Sequence, residues 1–122
     1  MALFHNDDLR NDFCDEMNAS VNINGPGSFI LKVVAAEAAT MVLSDPAFDG
    51  VPASGEFTLD VTPEPTDTDA TGNASPIDAW DFVDGNAKII FSGDETDITL
   101  TKATIATDDI VKITSFTYIA TQ

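Results

Sequence analysis

Beyond its first two dozen residues the chain is a succession of short runs rich in Val, Ile, Phe and Thr, each stopped by Gly, Pro, Asp or Asn. That rhythm admits little except β-structure. The runs fall at residues 29–34, 40–43, 56–61, 77–83, 87–92, 97–101 and 110–121. Between them stand Ser44-Asp45-Pro46, Asp84-Gly85-Asn86, Ser92-Gly93-Asp94 and Thr107-Asp108-Asp109, built of residues that accept positive φ or bond their own backbone. In the third run Phe57, Leu59 and Val61 alternate with Glu56, Thr58 and Asp60, so one face is apolar and the other wet. The last run alternates too, but Phe116 and Tyr118 put bulk on both faces near its end, which predicts a central or covered strand. Strands at this spacing predict an all-β fold, a β-sandwich of jelly-roll or immunoglobulin-like type. The stretch 62–75, with Pro63, Pro65, Thr, Asp and Gly, reads as a long exposed loop or irregular edge.

Only the start has another period. Leu9, Phe13 and Met17 recur every fourth residue, which predicts one short N-terminal amphipathic helix over about residues 7–19. Asn6 or Asp7 would cap it, and Asp7, Asp8 and Asp12 suit the positive end of its dipole. Asn24-Gly25-Pro26-Gly27 is a turn. Ahead of the helix lies an apolar lead, Met1 to Phe4, which would either pack on its own domain or form an arm that orders on binding. A chain of 122 residues has room for one core. The expected organisation is therefore a single domain over 1–122, with an N-terminal arm and helix at 1–20 and the sandwich at 21–122.

Charge narrows the partners. Five Lys and Arg against 21 Asp and Glu leave a net charge of −16, which argues against nucleic acid and against an anionic membrane surface. With 43% hydrophobic residues the acidity does not mean disorder. It describes a folded body with a carboxylated exterior, suited to mutual repulsion or to a salty habitat. No basic start followed by an apolar run and no long apolar stretch is present, so a chain made in a cytosol and kept in solution is expected.

The candidates for chemistry are few. Cys14 and His5 are the sole residues of their types, too few for a transition-metal site and a poor basis for nucleophilic catalysis. Cys14 reads as a small core residue. Acid pairs are guaranteed by number, yet no Asp-Thr-Gly or Asp-Ser-Gly triplet occurs and no acid is read as lying within an apolar run. No enzyme activity is expected, and no catalytic residue or cofactor is assigned. One stretch resembles a calcium loop: Asp67, Asp69, Thr71 and Gly72 occupy the first, third, fifth and sixth places, with Asp78 at the twelfth. Pro76, the Asp in place of a bidentate Glu and the absence of flanking helices favour a solvated loop instead. The ten aromatic residues are scattered singly without interleaved cations, which makes them core candidates and not a base-stacking platform. Phe48, between Pro46 and Gly50, is the one that a turn could expose; a plug over the end of the sandwich is its other reading.

Several of these segments in order, Leu43-Ser44-Asp45-Pro46-Ala47-Phe48, Gly50 and Gly55, Asp69-Ala70-Thr71-Gly72, Trp80 and Val111-Lys112-Ile113-Thr114-Ser115-Phe116-Thr117-Tyr118, resemble a family of small tailed-phage virion structural proteins. Met1-Ala2-Leu3 and Leu9-Arg10-Asn11 are similar as well. The resemblance implies an all-β sandwich with a small N-terminal helix, encoded among head genes, and carries over no catalytic, cofactor or interface residue. It implies a capsid decoration, or cement, protein that binds the outer face of the shell, with the major capsid protein as partner, a virion location after synthesis in the host cytoplasm, and a homo-oligomer such as a trimer on the lattice. A neck or tail structural protein is one alternative, and a calcium- or carbohydrate-binding β-sandwich module is another. Two departures stand out: a direct passage from Val34 into Ala35-Ala36-Glu37, where members have a longer loop, and a far greater acidity.

Overall fold

A computed structural model describes residues 5–48 and 50–120; the expectations for Met1 to Phe4 and for Thr121 lie outside them. The helix, α1, spans Asp7–Asn22, three residues beyond the expected end. Asn6 is its cap, its side chain accepting from the Leu9 N–H at 2.9 Å. The face it buries is not the expected one. Arg10, Cys14, Met17 and Val21 point inward, whereas Leu9 and Phe13 are each 40% exposed. Polar side chains set that rotation. The Asn11 carbonyl oxygen accepts from Gly55 N–H, Asn18 bonds both main-chain groups of Phe48, and Asn22 accepts from Ala47 N–H. Three asparagines on α1 thus tie it to two loops, and apolar period alone did not register them.

The rest is strand and connection. The strands are β1 (Ser28–Val33), β2 (Ala36–Val42), β3 (Glu56–Thr58), β4 (Thr66–Asp67), β5 (Ala79–Val83), β6 (Ile89–Asp94), β7 (Val111–Lys112) and β8 (Thr117–Ile119). They form three antiparallel sheets: one of four strands in the order β2-β1-β5-β6, and the pairs β3-β8 and β4-β7. The molecule is therefore mostly β with one helix, as the rhythm predicts. In the β1-β2 hairpin Phe29 faces Met41 and Leu31 faces Ala39, and across β5 Phe29 faces Phe82 and Leu31 faces Trp80. This face of the sheet is the floor of the core.

Eight aromatic rings gather there from segments far apart in the chain: Phe29, Phe48, Phe57, Trp80, Phe82, Phe91, Phe116 and Tyr118. Phe82, fully buried, is their centre, stacked on Phe91 at 4.4 Å and 4.8 Å from Phe116. Phe48 is 1% exposed and packs on Phe57 and Phe82, so it is core and not a surface turn. Among the described residues Phe13 is the aromatic that stays most exposed, at 40%.

Three expected elements differ. The run 97–101 contributes no strand; a short 3₁₀ helix, Glu95–Asp97, opens there because Asp94 accepts from Thr96 N–H while Asp97 accepts from Asp94 N–H. Ser92-Gly93-Asp94 is not a turn but the end of β6. Gly93 lies opposite Trp80, and a Cβ there would collide with the indole and the Asp97 carboxylate. The run 110–121 is not one central strand. It divides into β7 and β8, which pair with different partners outside the four-stranded sheet. Its inward parity changes: Val111 and Ile113 turn inward, then Phe116, Tyr118 and Ala120. A period-two strand cannot change parity without a break, so bulk on both faces marked the break.

Candidate functional site

The calcium-like stretch is not assembled as a cation site. Asp67 accepts from Thr40 N–H at 2.8 Å with one carboxylate oxygen and from Asp69 N–H at 3.0 Å with the other. Asp78 lies elsewhere, both its oxygens 3.1 Å from the Val34 N–H. Thr71 is turned to Glu37 and to the Thr107 hydroxyl, while Gly72 N–H donates to Ala38 at 2.8 Å. Among the described residues no group of three or more His, Cys, Asp or Glu is placed to hold a metal ion. The loop instead covers the free edge of β2, where Asp67 and Gly72 satisfy the main chain at Thr40 and Ala38. Burial pushes the Asp67 carboxyl up, but the amides of Thr40 and Asp69 outweigh it and hold the group below its ordinary value.

Other acids act in the same local way. Asp84 is buried; one oxygen takes the N–H groups of Asn86 and Lys88 and the other the Asn24 amide. The Lys88 amide is the main reason that its carboxyl lies below the ordinary value. Asp94 is lowered chiefly by the Thr96 hydroxyl, and Asp109 by Lys102, which donates to it at 2.9 Å.

One acid does lie within an apolar run, contrary to expectation. Asp81 stands in Ala79-Trp80-Asp81-Phe82-Val83, 6% exposed, and pairs with Lys32 Nζ at 2.6 Å. The register makes this pair: Asp81 faces Ile30, so Lys32 is its diagonal neighbour on the same face. A lone cation in the first run, Phe29 to Val33, was the signal for its partner.

His5 and Cys14 are not brought together as a catalytic pair. The imidazole stands 5.4 Å from the Phe13 ring on the outer side of α1, whereas Cys14 is fully buried. Burial raises its thiol above the ordinary value, which leaves it a core residue. Arg10, unassigned by sequence, is the inward cation of the helix. Its guanidinium bonds the Ala120 carbonyl at 3.3 Å and Asp7 at 3.2 Å, under Gly55, where a Cβ would strike it.

A cleft of about 1320 Å³ lies between the aromatic floor of the sheet and residues 97–119. Phe29, Leu31, Trp80 and Phe91 line one wall, and Ile98, Leu100, Ile105 and Tyr118 the other. The cations nearest it, Lys102 and Lys112, are paired with Asp109 and Glu64. No helix among the described residues is long and apolar enough to cross a membrane. No protein family, curated protein or solved structure matches the chain.

Proposed function

We propose that the chain is a β-sandwich, of jelly-roll or immunoglobulin-like kind, working as a bacteriophage capsid decoration protein on the outer face of the shell. The observation that carries this reading is the use of its best-placed acids. Asp67, Asp78, Asp84, Asp94 and Asp109 bond the protein's own main chain, so polar chemistry serves rigidity. What such a molecule offers is a stiff, strongly acidic exterior. That suits a part used in many copies, where a lattice multiplies modest contacts with the major capsid protein. The sequence motifs that resemble those of small tailed-phage virion proteins are its other support.

The test is quantitative mass spectrometry of purified virions from the phage that encodes the chain. A copy number near that of the major capsid protein is expected. A handful of copies per particle would move the protein to the neck or tail, and absence from virions would overturn the proposal.

A further inference from the structure

Two steps of Asn or Asp followed by Gly lie against each other where α1 ends and β5 turns into β6: Asn24-Gly25 and Asp84-Gly85. The Asn24 carboxamide nitrogen donates to Asp84 Oδ2 at 3.1 Å, and the other Asp84 oxygen takes the N–H groups of Asn86 and Lys88. Asp84 is 4% exposed, so these donors stand in for water around a buried charge. The charge that acts on it is that of Lys88, in its own turn. Asn24 itself is exposed, and its carboxamide oxygen accepts no hydrogen bond among the described residues.

An asparagine is converted when the main-chain nitrogen of the next residue attacks its side-chain carbonyl carbon. Glycine in the next position eases that approach, because it has no Cβ to obstruct it and the widest backbone freedom. Of the asparagines in the chain, Asn24 alone is followed by Gly. Gly25 has a φ of 92° and open space where a Cβ would stand. Its N–H is tied to the Asn22 carbonyl at 3.2 Å, one of the two longest main-chain bonds outside helices and strands among the described residues. Gly85 is the opposite case. A Cβ there would strike the Asn24 carbonyl, and the carboxylate before it is held by three donors. One step is free to bend towards its own side chain, and the other is locked.

We propose that Asn24 is a self-modifying site, which deamidates without an enzyme and so sets a second negative charge against Asp84. The Gly25 nitrogen bonds to Asn24 Cγ, the bond from Cγ to Nδ2 breaks, and the departing nitrogen leaves as ammonia with the Gly25 proton. Water then opens the resulting succinimide at either carbonyl, giving aspartate or, with the main chain rerouted through Cγ, isoaspartate. No oxidant or reductant takes part. The product removes one donor from Asp84 and faces it with a like charge, which disfavours the ionised form of a buried acid. The turn at residues 84–88 therefore weakens as the molecule ages, in whatever assembly the protein serves.

The full chain, held in mildly alkaline buffer at body temperature, is sampled by anion exchange and peptide mass spectrometry. A more acidic species should grow in, carrying the mass change of amide to acid at Asn24, isoaspartate included, ahead of every other asparagine. N24Q, which would have to close a larger ring, should not form it. N24D should lower the melting temperature by a few degrees. Its fall on acidification should begin at a higher pH than in the wild type, because the Asp84 carboxyl is pushed up. Both effects should shrink in a D84N background. Asn24 still intact when the urea-unfolded chain has converted, earlier conversion at another asparagine, or an N24D melting temperature equal to that of the wild type would overturn the proposal.

Discussion

Val34 and Ala35 join β1 to β2 with φ of 45° and 67°, the left-handed region that costs an L residue about 1–2 kcal/mol. Val34 is β-branched and 82% exposed, so packing does not repay it. The Asp78 carboxylate, clasping the Val34 N–H with both oxygens, holds the turn in place. V34N/A35G, the pair that such a turn prefers, should raise unfolding stability by about 1 kcal/mol in urea titration. Phe82 is the opposite case. It touches five other rings and has no exposure, so F82A should cost about 3–5 kcal/mol in the same assay. Neither residue was conspicuous in sequence: Val-Ala is not a turn signal, and one Phe among eight does not declare itself the centre.

β2 shows how an element is completed by groups remote from it. Its outward amide at Thr40 has an acid from a loop 27 residues away as partner. D67A should therefore lower the melting temperature by exposing that edge, and millimolar calcium should leave the wild-type melting temperature unchanged. A calcium-dependent rise, which ligand binding to the native state produces, would mean that the loop opens to take the ion. The helix makes the same point. Its existence and start were legible from spacing and from Asn6, but the buried stripe was not. Leu9 and Phe13 would have been preferred on hydrophobicity. The bonds of Asn11, Asn18 and Asn22 to loops 47–48 and 55, with the Arg10 bond to Ala120, turn α1 so that Arg10 and Cys14 face inward. R10M keeps most of the packing and loses those bonds; it should loosen the helix from the chain end near Ala120, seen as faster hydrogen exchange at the Ala120 amide, which donates to Gly55.

The whole molecule answers to pH through two opposed effects. Acidification from neutrality first relieves a net charge of −16, and near the isoelectric point of about 4.1 repulsion between copies vanishes, so light scattering should rise there. Asp67, Asp84, Asp94 and Asp109 have folded values below those of the unfolded chain. The unfolded state then binds protons more readily. Their stabilisation is complete above the ordinary carboxylate range, about 4, and is lost as pH falls through the lowered values. The melting temperature should hold above about pH 5 and drop below about pH 4. D84N should flatten that drop, since it removes one of the titrating groups.

Strand-forming runs, the early helix, the turns at Asn24 to Gly27 and at Asp84 to Asn86, and the alternation of 56–61 were all present in local pattern, because propensity and period act over a few residues. The parity change in 110–121 was present too, as bulk on both faces, although it reads as a central strand until the partners of β7 and β8 are known. Tertiary structure alone decided the rest. Which face of α1 is buried, which acid caps β2 and which lysine neutralises Asp81 all depend on contacts between segments tens of residues apart. Such contacts arise from the register and packing of the folded chain, and no local window contains both of their halves.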